Sequence, residues 1–210
     1  MLCHFVAFIK IAKRLKILLF TFYFFNFVLR ILGVDPGLVV TGYGVIEAAR
    51  GLKLIEAGII RTKADEGIAE RLRKVHQSLT EVVAETKPDV VVIERLYAHY
   101  KHPATAILMG HVRGVVCLVS GQQRVPLASV ASTHVKKSVT GRGHAGKQQV
   151  QRMVQHVLGL KTLPSPSDVA DALAVAIAYA SKLPLSSRAR REAPSRGIQS
   201  KSGVGRKKSF

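Results

Sequence analysis

A chain of 210 residues that is 48% hydrophobic is long enough for one domain with a buried core and too apolar to be disordered throughout. Its two cysteines, Cys3 and Cys117, exclude a disulfide framework and a cysteine-based zinc site, and fit a reducing cytosol. The formal net charge of +19 points to a polyanion as partner.

That charge is concentrated at the ends. Residues 1–30 carry five Lys/Arg and no acid, and residues 182–210 carry nine Lys/Arg and one acid, which leaves a net charge of only +6 between them. The first segment reads "IAKRLK" and then "ILLFTFYFFNFVL". This run of thirteen is shorter than the ~18 residues expected of a spanning helix. It resembles a signal peptide, but no small-residue cleavage site follows. Val28 and Leu29 are residues that GTG and TTG codons would encode. Residues 1–29 are therefore read as an extension ahead of a mis-called start, in preference to a membrane or signal segment or a structured arm.

From residue 30 the pattern becomes that of a folded domain. Residues 30–34 form an apolar run ending at Asp35, residues 39–46 are rich in β-branched side chains, and residues 52–61 follow, which predicts a three-strand meander. Leu72, Val75, Leu79, Val82 and Val83 recur at helical spacing over 68–86. "KPDVVVIE" is a turn and then a central strand ending in Glu94. Helices are expected over 104–120, 132–140, 148–158 and 169–180, with a short strand over 125–130. Residues 182–210, rich in Ser, Gly, Arg and Lys, read as a disordered basic tail, so the domain spans 30–181. A meander followed by alternating strands and helices indicates a layered α/β domain.

Four acids fall where a core is expected. Asp35 and Glu94 each end an apolar strand, and Asp168 and Asp171 lie one helical turn apart in "SDVADALAVAIAYA". Ser167 or Asp168 could cap that helix, but Asp171 sits deeper in it. A buried carboxylate costs several kcal/mol without a partner, and neither strand offers a placed Arg or Lys. A hard divalent cation resolves the conflict, because Mg²⁺ takes oxygen ligands and keeps waters for the substrate. Two such ions ~3.5–4 Å apart can activate water and stabilise the leaving oxygen of a phosphodiester. Asp35, Glu94, Asp168 and Asp171 are thus the candidate catalytic and metal-ligating residues.

Five blocks, "ILGVDPGLVVTGYGVI", "VVIERLY", "GHVRGV", "VKKSVTGRGHAGKQQVQRMV" and "SDVADALAVAIAYA", resemble in order and spacing the RuvC family, the bacterial Holliday junction resolvases or crossover junction endodeoxyribonucleases. The resemblance runs from about Arg30 to Ala180. It implies a ribonuclease-H-like α/β fold, with a five-stranded mixed sheet of a three-strand antiparallel meander plus two parallel strands, flanked by helices. It also implies a cytoplasmic homodimer that makes paired Mg²⁺-dependent nicks across four-way junction DNA, with two ions per active site and Mn²⁺ able to substitute. The RuvA and RuvB branch-migration complex is the implied protein partner, and no membrane is. The family's acidic residues fall on Asp35, Glu94, Asp168 and Asp171. Its DNA-holding lysines fall on Lys136 and Lys147, its junction wedge (usually Phe) on Tyr97, and Arg113 is a further DNA-binding candidate. The two ends of the chain lie outside the resemblance.

Other signals are weaker. "GRGHAGKQ" fits GxxxxGK, but Gln148 stands where a P-loop needs Ser or Thr, and no apolar strand leads in. The same glycines suit a loop lying along DNA phosphates. His99 and His102 flank a polar stretch with no acid to complete a metal site, and Cys117 on an apolar helix is read as a core residue. An actin-like phosphate-handling ATPase would also use "DPG" before a meander, but a second Asp-Gly nucleotide loop is missing. A non-catalytic basic DNA-binding module would not need all four acids.

Overall fold

The apolar run from Ile31 to Val34 is a strand covered on both faces, and its burial sets the layering of the molecule. The computed structural model describes residues 28–95, 103–141, 143 and 145–183. Within them five strands and five helices follow in order: β1 (Leu29–Asp35), β2 (Val40–Ala48), β3 (Leu52–Arg61), α1 (Ile68–Thr86), β4 (Val90–Glu94), α2 (Pro103–Gln122), β5 (Leu127–Val130), α3 (Ser132–Thr140), α4 (Lys147–Val157) and α5 (Ser167–Ala180). They form one sheet of order β3-β2-β1-β4-β5. β1, β2 and β3 pair antiparallel as a meander, while β4 lies parallel to β1 and β5 parallel to β4. This is the five-stranded mixed sheet expected from the resemblance.

Alternate residues of the central strands feed two cores. Ile31, Ile46, Val90, Val92 and Val130 pack under α3, α4 and α5. Leu32, Val34, Val45, Val91 and Ile93 pack under α1 and α2, against Val75, Leu79, Val112 and Val116. Both faces of β1 and β4 are therefore dry, which is why these strands read as unbroken apolar runs. α5 is the most deeply set helix, buried at every residue from Ala172 to Ala178. At ~1.5–3 kcal/mol for each large apolar side chain buried, Leu173, Val175 and Ile177 alone anchor it firmly.

The element boundaries follow from local chemistry. α1 ends as expected at Thr86, where Lys87 turns left-handed (φ 46°) ahead of Pro88 and returns its amide to the Val83 carbonyl. β5 starts two residues later than the pattern suggested. Pro126 has no amide hydrogen to ladder, although its carbonyl still accepts the Val91 amide at 2.9 Å. At the ends of the described domain, Leu29 pairs with Ala48 in β1, and both Leu29 and Leu183 pack against the α5-side core. Among the described residues no helix is long and apolar enough to cross a membrane.

Candidate metal and nucleic-acid site

A two-residue period sends every second side chain of a strand to one face. Asp35 shares its parity with Ile31 and Gly33, and Glu94 with Val90 and Val92, so both carboxylates leave their strands on the α5 face. Gly33 is paired with Val92, and Val34 with Ile93. Asp35 and Glu94 are the next residues along, so they end side by side at the carboxyl edge of a parallel pair. Open α/β sheets present ligand sites at that edge.

The turn after Asp35 is tied down from three directions. Thr41 Oγ1 donates to the Gly37 carbonyl at 2.7 Å. Thr62 donates its hydroxyl to the Leu38 carbonyl and its amide to the Val39 carbonyl. The buried Arg71 in turn donates from Nε to Thr62 Oγ1 at 3.0 Å. These bonds fix the turn into which β1 runs directly after Asp35.

The other two acids arrive with α5. Asp168 is in its first turn and Asp171 one turn further. Pro166 is the N-cap, and no side chain caps the helix, so the carboxylate of Asp168 is not spent on capping. Glycine lets the helix come close. Gly42 is the antiparallel partner of Asp35, and a Cβ on it would lie 2.1 Å from the Asp168 carbonyl oxygen. A Cβ on Gly33 would lie 2.1 Å from the carbonyl oxygen of Ala172. The backbone of α5 thus rests on bare strand beside Asp35. Glycine at these positions is what the close approach requires. In the sequence these glycines show as Gly33 in "ILGVD" and as the i, i+2 pair Gly42 and Gly44 in "TGYG", and since Gly33 pairs with Gly44 and Gly42 with Asp35, the missing side chains share one face of β1 and β2.

The four acids act on one another electrostatically. The Asp35 carboxyl is raised from 3.8 to about 7, first by burial and then by the charges of Asp171, Asp168 and Glu94, with Lys147 opposing. Asp171 is also raised, chiefly by burial and with Asp168 and Glu94 adding, while Lys147 and Lys136 pull it down. Asp35, Glu94, Asp168 and Asp171 therefore lie within electrostatic reach of one another near one end of the sheet, with Lys147 and Lys136 close enough to oppose them. Among the described residues no three His, Cys, Asp or Glu side chains converge tightly enough to hold a metal ion as they stand. Two lysines offset the four acids only in part, so the carboxylates still repel one another. The donor set is all carboxylate oxygen, which is the chemistry a Mg²⁺-type ion takes and a thiolate- or imidazole-seeking ion does not.

Lys147 is the first residue of α4 and is exposed, and Lys136 is half-buried on α3. Both helices lie in the same layer as α5. Arg113 reaches from α2 to the end of β4, donating to the Glu94 carbonyl at 2.5 Å and to Ser129 Oγ at 3.2 Å. Gly141 caps α3 with φ 77°, and Gly146 precedes α4. The GxxxxGK segment therefore links two helices, whereas a P-loop joins a strand to a helix. Cys117, expected in the core, is exposed, because the buried side of α2 is taken by Val112, Val116 and Val119. Tyr97, His99 and His102 lie outside the described residues.

The chain matches the family model described as crossover junction endodeoxyribonuclease RuvC over residues 31–179. It is 48% identical over 149 residues to the crossover junction endodeoxyribonuclease RuvC of Rhodopirellula baltica, covering 70% of this chain and 83% of that one. The protein of the same name from Desulforamulus reducens is 43% identical over 151 residues, 71% of this chain and 92% of that one. Among solved structures, T. thermophilus RuvC in complex with a Holliday junction substrate superposes with a TM-score of 0.68 at 32% identity, covering 72% of this chain and 93% of that one.

Proposed function

The chain belongs to the RuvC family of crossover junction endodeoxyribonucleases, and from that premise we propose that it resolves Holliday junctions by paired, metal-dependent hydrolysis of phosphodiester bonds, in homologous recombination and DNA repair. The fold is ribonuclease-H-like. The observation that carries the reading is the meeting of Asp35, Glu94, Asp168 and Asp171 at one sheet edge, with Lys136 and Lys147 acting on the same field. Neither an ATPase nor a non-catalytic module is favoured by this arrangement.

Nucleases of this family generally depend on a divalent metal. In our reading the metal is Mg²⁺, two ions per site with Mn²⁺ able to substitute, and the four carboxylates hold it. Bound there, it would supply an activated water and charge neutralisation at the leaving oxygen. Lys136 and Lys147 hold phosphates as point charges, and Tyr97 is the aromatic that wedges into the crossover, where stacking is worth ~1–3 kcal/mol per base. Residues 30–181 form the nuclease, with Leu29 and Leu183 packed at its edges and the remainder of 1–29 and 182–210 as extensions.

A junction has two scissile strands and each chain one acidic site, so the working unit is a homodimer. The outer side of α2 supports this, with Ile107 61% and Leu118 52% exposed along one helix. The RuvA and RuvB branch-migration complex is the proposed protein partner and the cytoplasm the proposed location.

The direct test is a synthetic four-way junction with labelled arms. Symmetric nicks with Mg²⁺ or Mn²⁺, none in chelator, and a spared linear duplex are expected. Equal cutting of linear duplex, or cutting in chelator, would sink the proposal. The grip of the lysines is tested separately. Replacing Lys136 or Lys147 with Ala should weaken binding alike across junction sequences and lower the salt slope by about one. A variant that instead changes cleavage-sequence preference at an unchanged slope would refute a phosphate contact.

A further inference from the structure

The guanidinium of Arg113 ends on the backbone of a catalytic strand. Arg113 is half-buried on α2, between Val112 and Val116, which pack into the core beneath that helix. From there it donates to the carbonyl of Glu94 and to Ser129 Oγ on β5. Glu94 is the last residue of β4. On one side the chain remains laddered to β5, the Arg95 amide donating to the Val130 carbonyl at 2.7 Å. On the other side β1 stops at Asp35, and the residue that follows is Pro36. Proline has no amide hydrogen, so the β1 strand has no further donor to extend the ladder at the level of Glu94. A strand end whose carbonyl lacked a donor would cost free energy and fray. Arg113 supplies that donor with a charged group, which makes the stronger kind of hydrogen bond.

We infer that Arg113 is a positioning residue for Glu94. It fixes the backbone from which the metal-binding carboxylate projects, and spends its charge on the protein, not on DNA. It replaces the ladder bond that Pro36 removes, and ties β4 and β5 together through Ser129. The inference rests on the reading of Glu94 as a metal ligand.

The experiment uses the full chain and reads Mn²⁺ binding to DNA-free protein by electron paramagnetic resonance, junction binding in chelator across a salt series, and thermal melts. Arg113→Leu keeps the stem and loses the donors, and Arg113→Lys keeps the charge and one donor. Groups that orient metal ligands typically cost 10–100-fold in affinity when removed. Arg113→Leu should therefore weaken Mn²⁺ binding at least about tenfold, with junction affinity in chelator within about twofold of wild type and the salt slope unchanged. Arg113→Lys should recover part of the Mn²⁺ affinity. If Arg113→Leu does not fold, Arg113→Lys decides the matter, since weaker Mn²⁺ binding at an unchanged melting temperature supports positioning. Wild-type Mn²⁺ affinity in the folded variants overturns the inference. So does a fall of about one in the salt slope of Arg113→Leu, which marks a phosphate contact. Glu94→Gln is the control. If it leaves Mn²⁺ binding intact, the metal-site reading has failed rather than the role of Arg113.

Discussion

Asp35→Asn should abolish junction nicking, leave junction binding intact or tighter, and raise the melting temperature of the metal-free protein at alkaline pH. The catalytic loss follows from the proposed metal site, which would lose one of its four carboxylates. Tighter binding follows from removing a negative charge at the place where a phosphate must lie. The stability effect follows from linkage. Folding raises the Asp35 carboxyl from 3.8 to about 7, by burial first and neighbouring acids second. The folded chain therefore holds that proton more tightly than the unfolded chain does. The resulting stability is fully present below about pH 4 and is lost as pH rises through about 7. At ~1.4 kcal/mol per pH unit the wild type loses roughly 4 kcal/mol at most across that window. Asn is neutral at every pH and loses none of it. Melts of wild type and variant in chelator should diverge from pH 5 to pH 8, with the variant the more stable at pH 8. A gap independent of pH would show that Asp35 carries no such strain, and retained nicking would remove it from the active site.

Gly42→Ala adds a single methyl group and should cost most of the activity. Its Cβ would stand 2.1 Å from the Asp168 carbonyl oxygen and 3.1 Å from the Asp168 Cβ. The first contact is with backbone, so no rotamer change relieves it. α5 must lift, and Asp168 and Asp171 lift with it. Overpacking of this kind costs ~1–3 kcal/mol, or roughly 2–12 °C in a domain of this size. Nicking should fall further, by about 100-fold, since a displacement of ~1 Å in a catalytic group has that effect. Gly51→Ala is the matched control, because its added Cβ meets nothing within 4 Å. It should behave as wild type in both melting and cleavage. Equal activity in the two variants would mean that α5 is not seated by Gly42.

The helices expected over 68–86 and 132–140 match the structure to the residue, because Pro88 after the first and Gly141 after the second stop them locally. The four acids were legible for a related reason. Asp35 and Glu94 end apolar strands and Asp168 and Asp171 open an apolar helix, and an uncompensated charge in such a place demands an explanation that a solvated charge does not. What the pattern left open was how closely those elements approach. Nothing in "TGYG" alone says that a helix some 125 residues later will lie on the missing side chains, since that depends on which face of β2 meets α5. Cys117 is exposed on a helix whose apolar composition does not reveal which side packs inward.

Arg113 shows the division most sharply. Its residue type invited a DNA contact, and only the three-dimensional arrangement sets its guanidinium against the carbonyl of Glu94, at a strand end that Pro36 leaves short of a donor. Strand parity, apolar period and residue chemistry are local properties, carried along the chain within a few residues. They were enough to single out the four carboxylates as candidates and to propose the kind of ion that all-oxygen ligands suit. The separation between Asp35 and α5, the raised carboxyl of Asp35, and the employment of Arg113 are sums over groups distant in sequence. They exist only once hydrophobic burial has brought the strands and helices together and excluded water from between them.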